Sequence, residues 1–367
     1  MNDITSPTLL INETVCRENI KAMINKSKAC DFTTRPHFKT HQSLEIGRWL
    51  AEEGVRNITV SSLRMARYFA GPWEDITLAV PFNILAIDDF NDLAQQQKII
   101  LMVDCVDTTS FLAENVSQQT ALWIEIDTGD HRTGLAPEDT KSIIAILDII
   151  MASPKLSLKG FYSHAGHSYK ARGKGAILEI LGDVKDKMVK IRKEFNGKYG
   201  SFDINIGDTP CCSLGEDLSW VDSISAGNYV FYDVMQTSIG SCNEKQVAVC
   251  MVCPVISKNE ERMEIAIHGG VVHFGKDVMN TDHGTEYGKI VRFVGNWWDG
   301  AMEGCRLKYI SQEHGIIKVD RETFESTRVG DLFAILPVHS CITADCMGSY
   351  QTLDGKIIDH MKGGTNF

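Results

Sequence analysis

Lys39 stands between His37 and His41 in the run RPHFKTHQ at residues 35–42. A primary amine at the end of a strand-like run is an ordinary solvated cation in most proteins. Once desolvated, it is a base and a nucleophile able to form a Schiff base with an aldehyde. Two loops that begin with glycine, GDTP at 207–210 and GNY at 227–229, could do no more than make tight turns at Gly207 and Gly227. They could also turn backbone N–H groups onto an anion, with Thr209 adding a hydroxyl and Asn228 an amide.

Two further motifs carry chemistry. YSHAGHSY at 162–169 collects Tyr162, His164, His167 and Tyr169 at one strand end and its loop. The tyrosines could contact a cofactor ring or pack at a rim, and the histidine spacing suits support of a site better than metal ligation. LPVHSC ends an apolar run with His339 and Cys341 two residues apart. Alternation along a strand puts both on one face, where an imidazole and a thiolate could hold zinc and leave positions open for water and substrate. CMVC at 250–253 and CC at 211–212 read as buried small residues, and no second CxxC completes a structural zinc site.

The elements that must position these residues emerge from periodicity. Strand-like runs occur at 35–41, 57–62, 75–80, 99–104, 122–127, 158–164, 201–207 and 221–227. Helix-compatible segments with three- and four-residue apolar spacing, such as DTKSIIAILDIIMAS and AILEILGDVKDKMVKIRKEF, lie between most of them. Eight β/α units predict a TIM-type (β/α)₈ barrel, and the lack of an early GxGxxG speaks against a dinucleotide fold. After about residue 240 the pattern becomes strand-like runs joined by turns, predicting a mostly β second domain. The expected domains are 15–240 and 241–367, with residues 1–14 free to pair with either.

Composition bounds the partners. A chain of 367 residues with net charge -11 has no general attraction for nucleic acid or anionic membranes. The start MNDITSPTLLINETV lacks a basic segment followed by an apolar core, and no later stretch approaches a membrane span. A cytoplasmic protein with reduced thiols and a small-molecule substrate is the expectation.

In such a barrel the site lies where the strands end. That places Lys39, His41, Asp127, His164 and both glycine loops at one mouth. An amine that takes an aldehyde beside a cradle that takes a phosphate suits pyridoxal 5'-phosphate.

RPHFKTH, DTGDHRTG, YSHAGHSY, GDTPCCS, GNYVFYDVMQTSIGSC, SQEHG and LPVHSC, taken together and in order, resemble the fold-type III pyridoxal-phosphate enzymes of the D-serine dehydratase and D-threonine aldolase group. The GNYVFYD run is similar to that of the zinc-dependent, eukaryotic-type D-serine dehydratases. The resemblance implies an alanine-racemase-like barrel followed by a β domain, and a homodimer. It implies Lys39 as the Schiff-base lysine, Tyr162, Tyr169, Thr209, Gly227 and Asn228 as cofactor holders, and His339 and Cys341 as ligands of Zn2+ or another divalent metal such as Mn2+. Phe38, Gln42 and Asp208 depart from the pattern, Asp208 standing where serine is usual.

The expected activity is that of a lyase on D-β-hydroxy amino acids. Lys39 would take the Cα proton, and the metal would make the β-hydroxyl a leaving group, converting D-serine to pyruvate and ammonia. A retro-aldol cleavage of D-threonine to glycine and an aldehyde uses the same residues. A racemase would need a second base and has no evident use for the metal pair, and a non-catalytic cofactor carrier would not need the β domain.

Overall fold

The computed structural model describes residues 4–294 and 297–363. They form two compact units, one of residues 21–39 and 47–227, the other of residues 4–20, 40–46 and 228–363. The first strand, β1 (Thr8–Ile11), belongs to the latter unit.

The former unit is a nearly closed barrel of eight parallel strands. They are β2 (Thr33–Thr34), β3 (Asn57–Val60), β4 (Asp75–Pro81), β5 (Ile99–Val103), β6 (Thr120–Glu125), β7 (Leu156–Ser163), β8 (Asp203–Ile206) and β9 (Ser223–Ile224), and β2 lies beside β9. The gap between β2 and β3 is bridged at His37 and Thr59. β5 reads IILMV and is buried throughout, as a strand covered on both faces must be. Alternate residues of β4 to β7 fill the lumen: Ile100, Met102, Trp123 and Tyr162 cluster, and Trp123 Nε1 donates to Thr77 Oγ1 at 3.3 Å. The outer faces carry helices. Lys174–Phe195 buries Ile177, Leu181, Val184, Met188, Ile191 and Phe195 at helical spacing, each contributing about 1.5–3 kcal/mol.

The expected first strand, 35–41, is corrected. β2 ends at Thr34, pairing continues only at His37, and residues 38–41 form a turn. Pro36 has no N–H to give a ladder, although its carbonyl accepts from Thr59 N–H at 3.0 Å. Phe38 turns into an aromatic pocket, edge-on to Phe69 at 4.8 Å and Trp73 at 5.2 Å. Lys39 therefore projects from a turn.

The other unit is mostly β. β10 (Val249–Asn259) pairs antiparallel with β1, with Leu332–Pro337 and with β11 (Glu264–His268). The opening PTLLIN thus pairs with this unit. β11 pairs in turn with His314–Lys318, which pairs with Arg306–Ile310. Among the described residues no helix is long and apolar enough to cross a membrane.

Candidate active site

In the barrel unit, Lys39 is exposed. Lys39, His37, Ser61, Glu125, Arg132 and Thr133 all line a cavity of about 310 Å³. Glu125 closes β6, two residues after Trp123 and so on the same lumen-facing side. It is only 4% exposed. Burial raises its pKa, a hydrogen bond from Thr133 and the Arg132 charge opposing in part, and its Oε2 is buried without a hydrogen-bond partner. Asp127 does something else. It accepts the N–H groups of Gly129 at 2.9 Å and His131 at 3.0 Å and pairs with the His131 ring at 2.9 Å. Burial pushes its pKa up, but these bonds hold it below the usual value, so Asp127 shapes the DTGDHRTG loop.

The loops after β7 and β8 meet. A Cβ at Gly207 would stand 2.5 Å from the Tyr162 hydroxyl, and one at Gly227 would stand 2.3 Å from the His37 carbonyl oxygen. Only glycine fits at either position. Tyr162 is buried, and its hydroxyl is held protonated chiefly by desolvation and then by the Glu125 charge. His164 is pushed down to about 3, by desolvation first and then by the Lys39 and Arg132 charges. It is a neutral ring electrostatically coupled to Lys39. Tyr169 accepts the Thr209 N–H at 3.2 Å, while Thr209 Oγ1 is buried without a partner. His167 packs against Gly129, where a Cβ would lie 3.2 Å from its Cε1.

Asp208 is turned back from the loop. It caps the helix Thr209–Leu214, accepting the Cys211 N–H at 2.8 Å and the Ser168 hydroxyl at 2.9 Å. Burial raises its pKa, so the acid at a position that is usually serine is biased toward its neutral form. An amine at a cavity, a buried hydroxyl without a partner and two backbone turns with no room for a Cβ suit a phosphorylated aldehyde.

The second donor set lies in the other unit. His339 is in extended conformation at the N-cap of the helix Ser340–Met347, and Cys341 falls in its first turn. The expectation of two alternating strand positions is corrected, because the strand stops at Pro337. The two side chains are nevertheless close enough for each to shift the other's ionisation. Burial pushes the Cys341 thiol up, but the His339 charge and bonds from His339, Thr40 and Asn228 bring it below its usual value. Burial opposes charge on His339, yet Cys341 and Asp233 hold its pKa well above normal. The pair is shifted toward thiolate and imidazolium, and an imidazole and a thiol side by side are a donor set a divalent cation could take by displacing their protons.

Asp233, fully buried, organises this region. Its Oδ2 accepts Asn228 Nδ2 at 2.8 Å, Ser340 N–H at 3.0 Å and Ser340 Oγ at 3.2 Å, and its Oδ1 accepts Gln236 N–H at 2.9 Å. His339 Nδ1 lies 3.3 Å from the same Oδ2 without hydrogen-bond geometry. Asn228 Nδ2 also reaches Ser340 Oγ at 3.0 Å and Cys341 Sγ at 3.4 Å. The structure thus places the Asn228 amide in the Asp233 network. Gln42, another departure, donates to Asp345 at 2.9 Å. His41 is a buried neutral ring, pushed down to about 3 by desolvation. Cys211, Cys212, Cys250 and Cys253 are buried with raised thiol pKa values.

Sequence reasoning missed Asp233, Thr40 and Glu125. Asp233 was visible as the acid ending GNYVFYD, and strand parity with Trp123 would have marked Glu125. Thr40, which lies 3.3 Å from Cys341 Sγ, carries no sequence signal.

A lysine at the barrel mouth, glycine-lined loops and a following β unit define an alanine-racemase-like, pyridoxal-phosphate type of enzyme. The model of the alanine racemase N-terminal domain matches residues 11–195, and that of a serine dehydratase domain matches residues 248–353. The chain belongs to the fold-type III pyridoxal-phosphate family, in the D-serine dehydratase and D-threonine aldolase group.

A D-serine dehydratase of Dictyostelium discoideum is 26% identical over 395 residues, covering 99% of this chain and 97% of that one. A D-threo-3-hydroxyaspartate dehydratase of Delftia sp. is 28% identical over 374 residues, covering 96% of each. Its solved structure matches with a TM-score of 0.91 at 25% identity, covering 98% of each chain. A cysteine-to-alanine variant of a D-threo-3-hydroxyaspartate dehydratase, described as metal-free, matches with a TM-score of 0.90 at 25% identity, over 98% of each chain.

Proposed function

We propose that the protein is a pyridoxal-phosphate- and divalent-metal-dependent lyase acting on D-β-hydroxy amino acids, and that it converts D-serine to pyruvate and ammonia. The observation that carries a lyase over a racemase is the His339 and Cys341 pair, an imidazole and a thiol brought together beside the buried Asp233. A racemase needs no such donor set.

When bound, the cofactor supplies an electron sink for Cα and the metal a Lewis acid for the β-hydroxyl. Lys39, Tyr162, Tyr169, Thr209, Gly227 and Asn228 would hold the cofactor, and His339 and Cys341 would hold Zn2+ or Mn2+. These residues assign cofactor binding to 15–240 and metal binding to 241–367, of which residues 295, 296 and 364–367 lie outside those described.

Lys39 Nζ, as a free amine, would take the Cα proton. His164 stays neutral and does not compete for that proton, since its pKa lies at about 3. Glu125 shares the Lys39 cavity and, with its raised pKa, can hold a proton there. Arg132, which lines the same cavity, offers a cation to the substrate carboxylate. Asp233 orients His339. The protein works as a cytoplasmic homodimer in this reading.

The test is to reconstitute purified protein with pyridoxal phosphate, record the visible Schiff-base band, and assay pyruvate from D-serine with and without zinc, with Lys39→Ala alongside. D-threonine and D-threo-3-hydroxyaspartate complete the substrate panel. A Lys39-dependent band with zinc-dependent pyruvate is expected. A band with glycine and acetaldehyde from D-threonine but no pyruvate overturns the dehydratase reading in favour of the aldolase. No band overturns the cofactor assignment.

A further inference from the structure

We propose that His268, His273 and Glu313 form a second divalent-cation site, for a zinc-like transition metal, whose ligands share no residue with the His339 and Cys341 pair. Three elements deliver the three side chains. His268 closes β11, His273 lies in the short helix Val271–Phe274, and Glu313 immediately precedes the strand His314–Lys318. β11 and His314–Lys318 pair antiparallel with His268 opposite His314, which sets Glu313 beside the end of β11. Gly269 N–H donates to the Glu313 carbonyl at 2.8 Å, and Val271 N–H to the Ser311 carbonyl at 2.8 Å. The fit there is tight. A Cβ at Gly270 would stand 2.3 Å from the Ser311 oxygen, and one at Gly315 would stand 2.7 Å from the Gly269 oxygen.

Glu313 Oε2 lies 3.7 Å from His268 Nε2 and 3.8 Å from His273 Nε2, and one donor atom from each residue falls within 4.8 Å of the others. The imidazole rings stand perpendicular, 5.5 Å apart. Ligands of a tetrahedral zinc sit about 3.4 Å from one another, given bonds of about 2.1 Å, so the two carboxylate–imidazole separations must close by a few tenths of an ångström and the widest donor separation, within 4.8 Å, by up to about 1.4 Å. At the present separations the carboxylate makes no hydrogen bond to either ring, and half-exposed ion pairs of this length contribute little. Two imidazoles and a carboxylate are a donor set for zinc, cobalt or nickel. His268 is 40% and Glu313 48% exposed, which gives a cation access and leaves room for water in the remaining positions.

One bond must change. Gly270 N–H donates to His273 Nδ1 at 3.1 Å, which leaves the proton of the neutral ring on Nε2, the atom facing Glu313. Capture through Nε2 moves that proton to Nδ1 and gives up the Gly270 bond. Losing one such bond lowers affinity by roughly tenfold, small beside what three donors supply.

The site is testable by zinc titration calorimetry on the full chain stripped of metal. The wild type is expected to take two zinc ions per chain. The His339→Ala, Cys341→Ala double variant is expected to keep one, and that one is lost in His273→Ala and weakened at least tenfold in Glu313→Gln. His268→Ala, at a half-exposed position, repeats the loss should His273→Ala fail to fold. Cobalt(II) separates the sites, since only the Cys341 site gives thiolate-to-metal charge transfer. If the double variant binds no zinc, or if its remaining zinc survives both histidine substitutions, the proposal is overturned. Neither outcome bears on the pyridoxal-phosphate reading, which the Lys39-dependent band tests separately.

Discussion

Around Thr209 and Glu125 the protein leaves buried polar atoms without partners: Thr209 Oγ1, Asp208 Oδ2 and Glu125 Oε2. The Asp233 carboxylate is the opposite case, since its two oxygens take four hydrogen bonds from Asn228, Gln236 and Ser340, although Asn228 Oδ1, the Gln236 side-chain amide and His339 Nδ1 around it stay without partners. A buried polar group without a partner costs about 1–3 kcal/mol. The barrel mouth thus stores free energy that a polar ligand can release, whereas the Asp233 carboxylate is already satisfied and stands beside the donor atoms of His339 and Cys341. The first is shaped to be finished by a cofactor. The second is shaped to hold two side chains still.

Lys39→Ala tests the barrel side most severely. It should abolish the Schiff-base band and lower turnover by roughly 10⁴-fold or more. Because Lys39 is exposed, the melting free energy of the apoprotein should change by no more than about 0.5 kcal/mol. A large loss of stability would make the lysine structural. Asp233→Asn tests the other side, and here the effect should fall on stability. An amide NH2 would face the Ser340 and Asn228 donors, at a cost of about 3 kcal/mol in urea unfolding. Metal retention should fall with it. If the variant is as stable as wild type, the Asp233 network is not what holds His339, and the contrast between the two regions fails.

Thr209→Val sharpens the comparison because its two effects have opposite signs. Removing a buried hydroxyl without a partner should leave the apoprotein as stable or slightly more so. Pyridoxal phosphate affinity, read by fluorescence titration, should fall by about tenfold. Equal losses in both would mean that the hydroxyl is satisfied before the cofactor arrives.

The sequence made the barrel legible because β5 and the helix Lys174–Phe195 each carry one clean period, and the strand-end rule then led to Lys39 without any structural input. It did not show that the first strand breaks at Pro36, since proline and the aromatic pocket for Phe38 compete with a β pattern that reads through both. His339 and Cys341 were recognisable as donors, but their strand assignment failed because the strand ends at Pro337 and a helix begins at Ser340, a break that the apolar run LPV reads through. Asp233 could be seen as the acid ending GNYVFYD, but not its role as an organiser. Its partners Asn228 and Ser340 are 5 and 107 residues away, and only folding brings the second one in.

The smallest effect should come from Glu125→Gln, and it reads the barrel side through pH. Burial raises the Glu125 pKa in the folded chain. Ionising it therefore costs more in the folded state than in the unfolded one. Below the unfolded pKa both states hold the proton and the residue carries no penalty. Above the folded pKa the penalty is fully present. Glutamine mimics the protonated acid at every pH, so the apoprotein variant should match wild type near pH 4 and gain relative stability as pH rises toward 8, measured by urea unfolding across that range. A gap that does not widen with pH would mean that Arg132 and Thr133 already stabilise an ionised Glu125. Glu125 would then be as well satisfied as the Asp233 carboxylate, and the affinity of the barrel mouth for a cofactor would have to come from the loops after β7 and β8 alone.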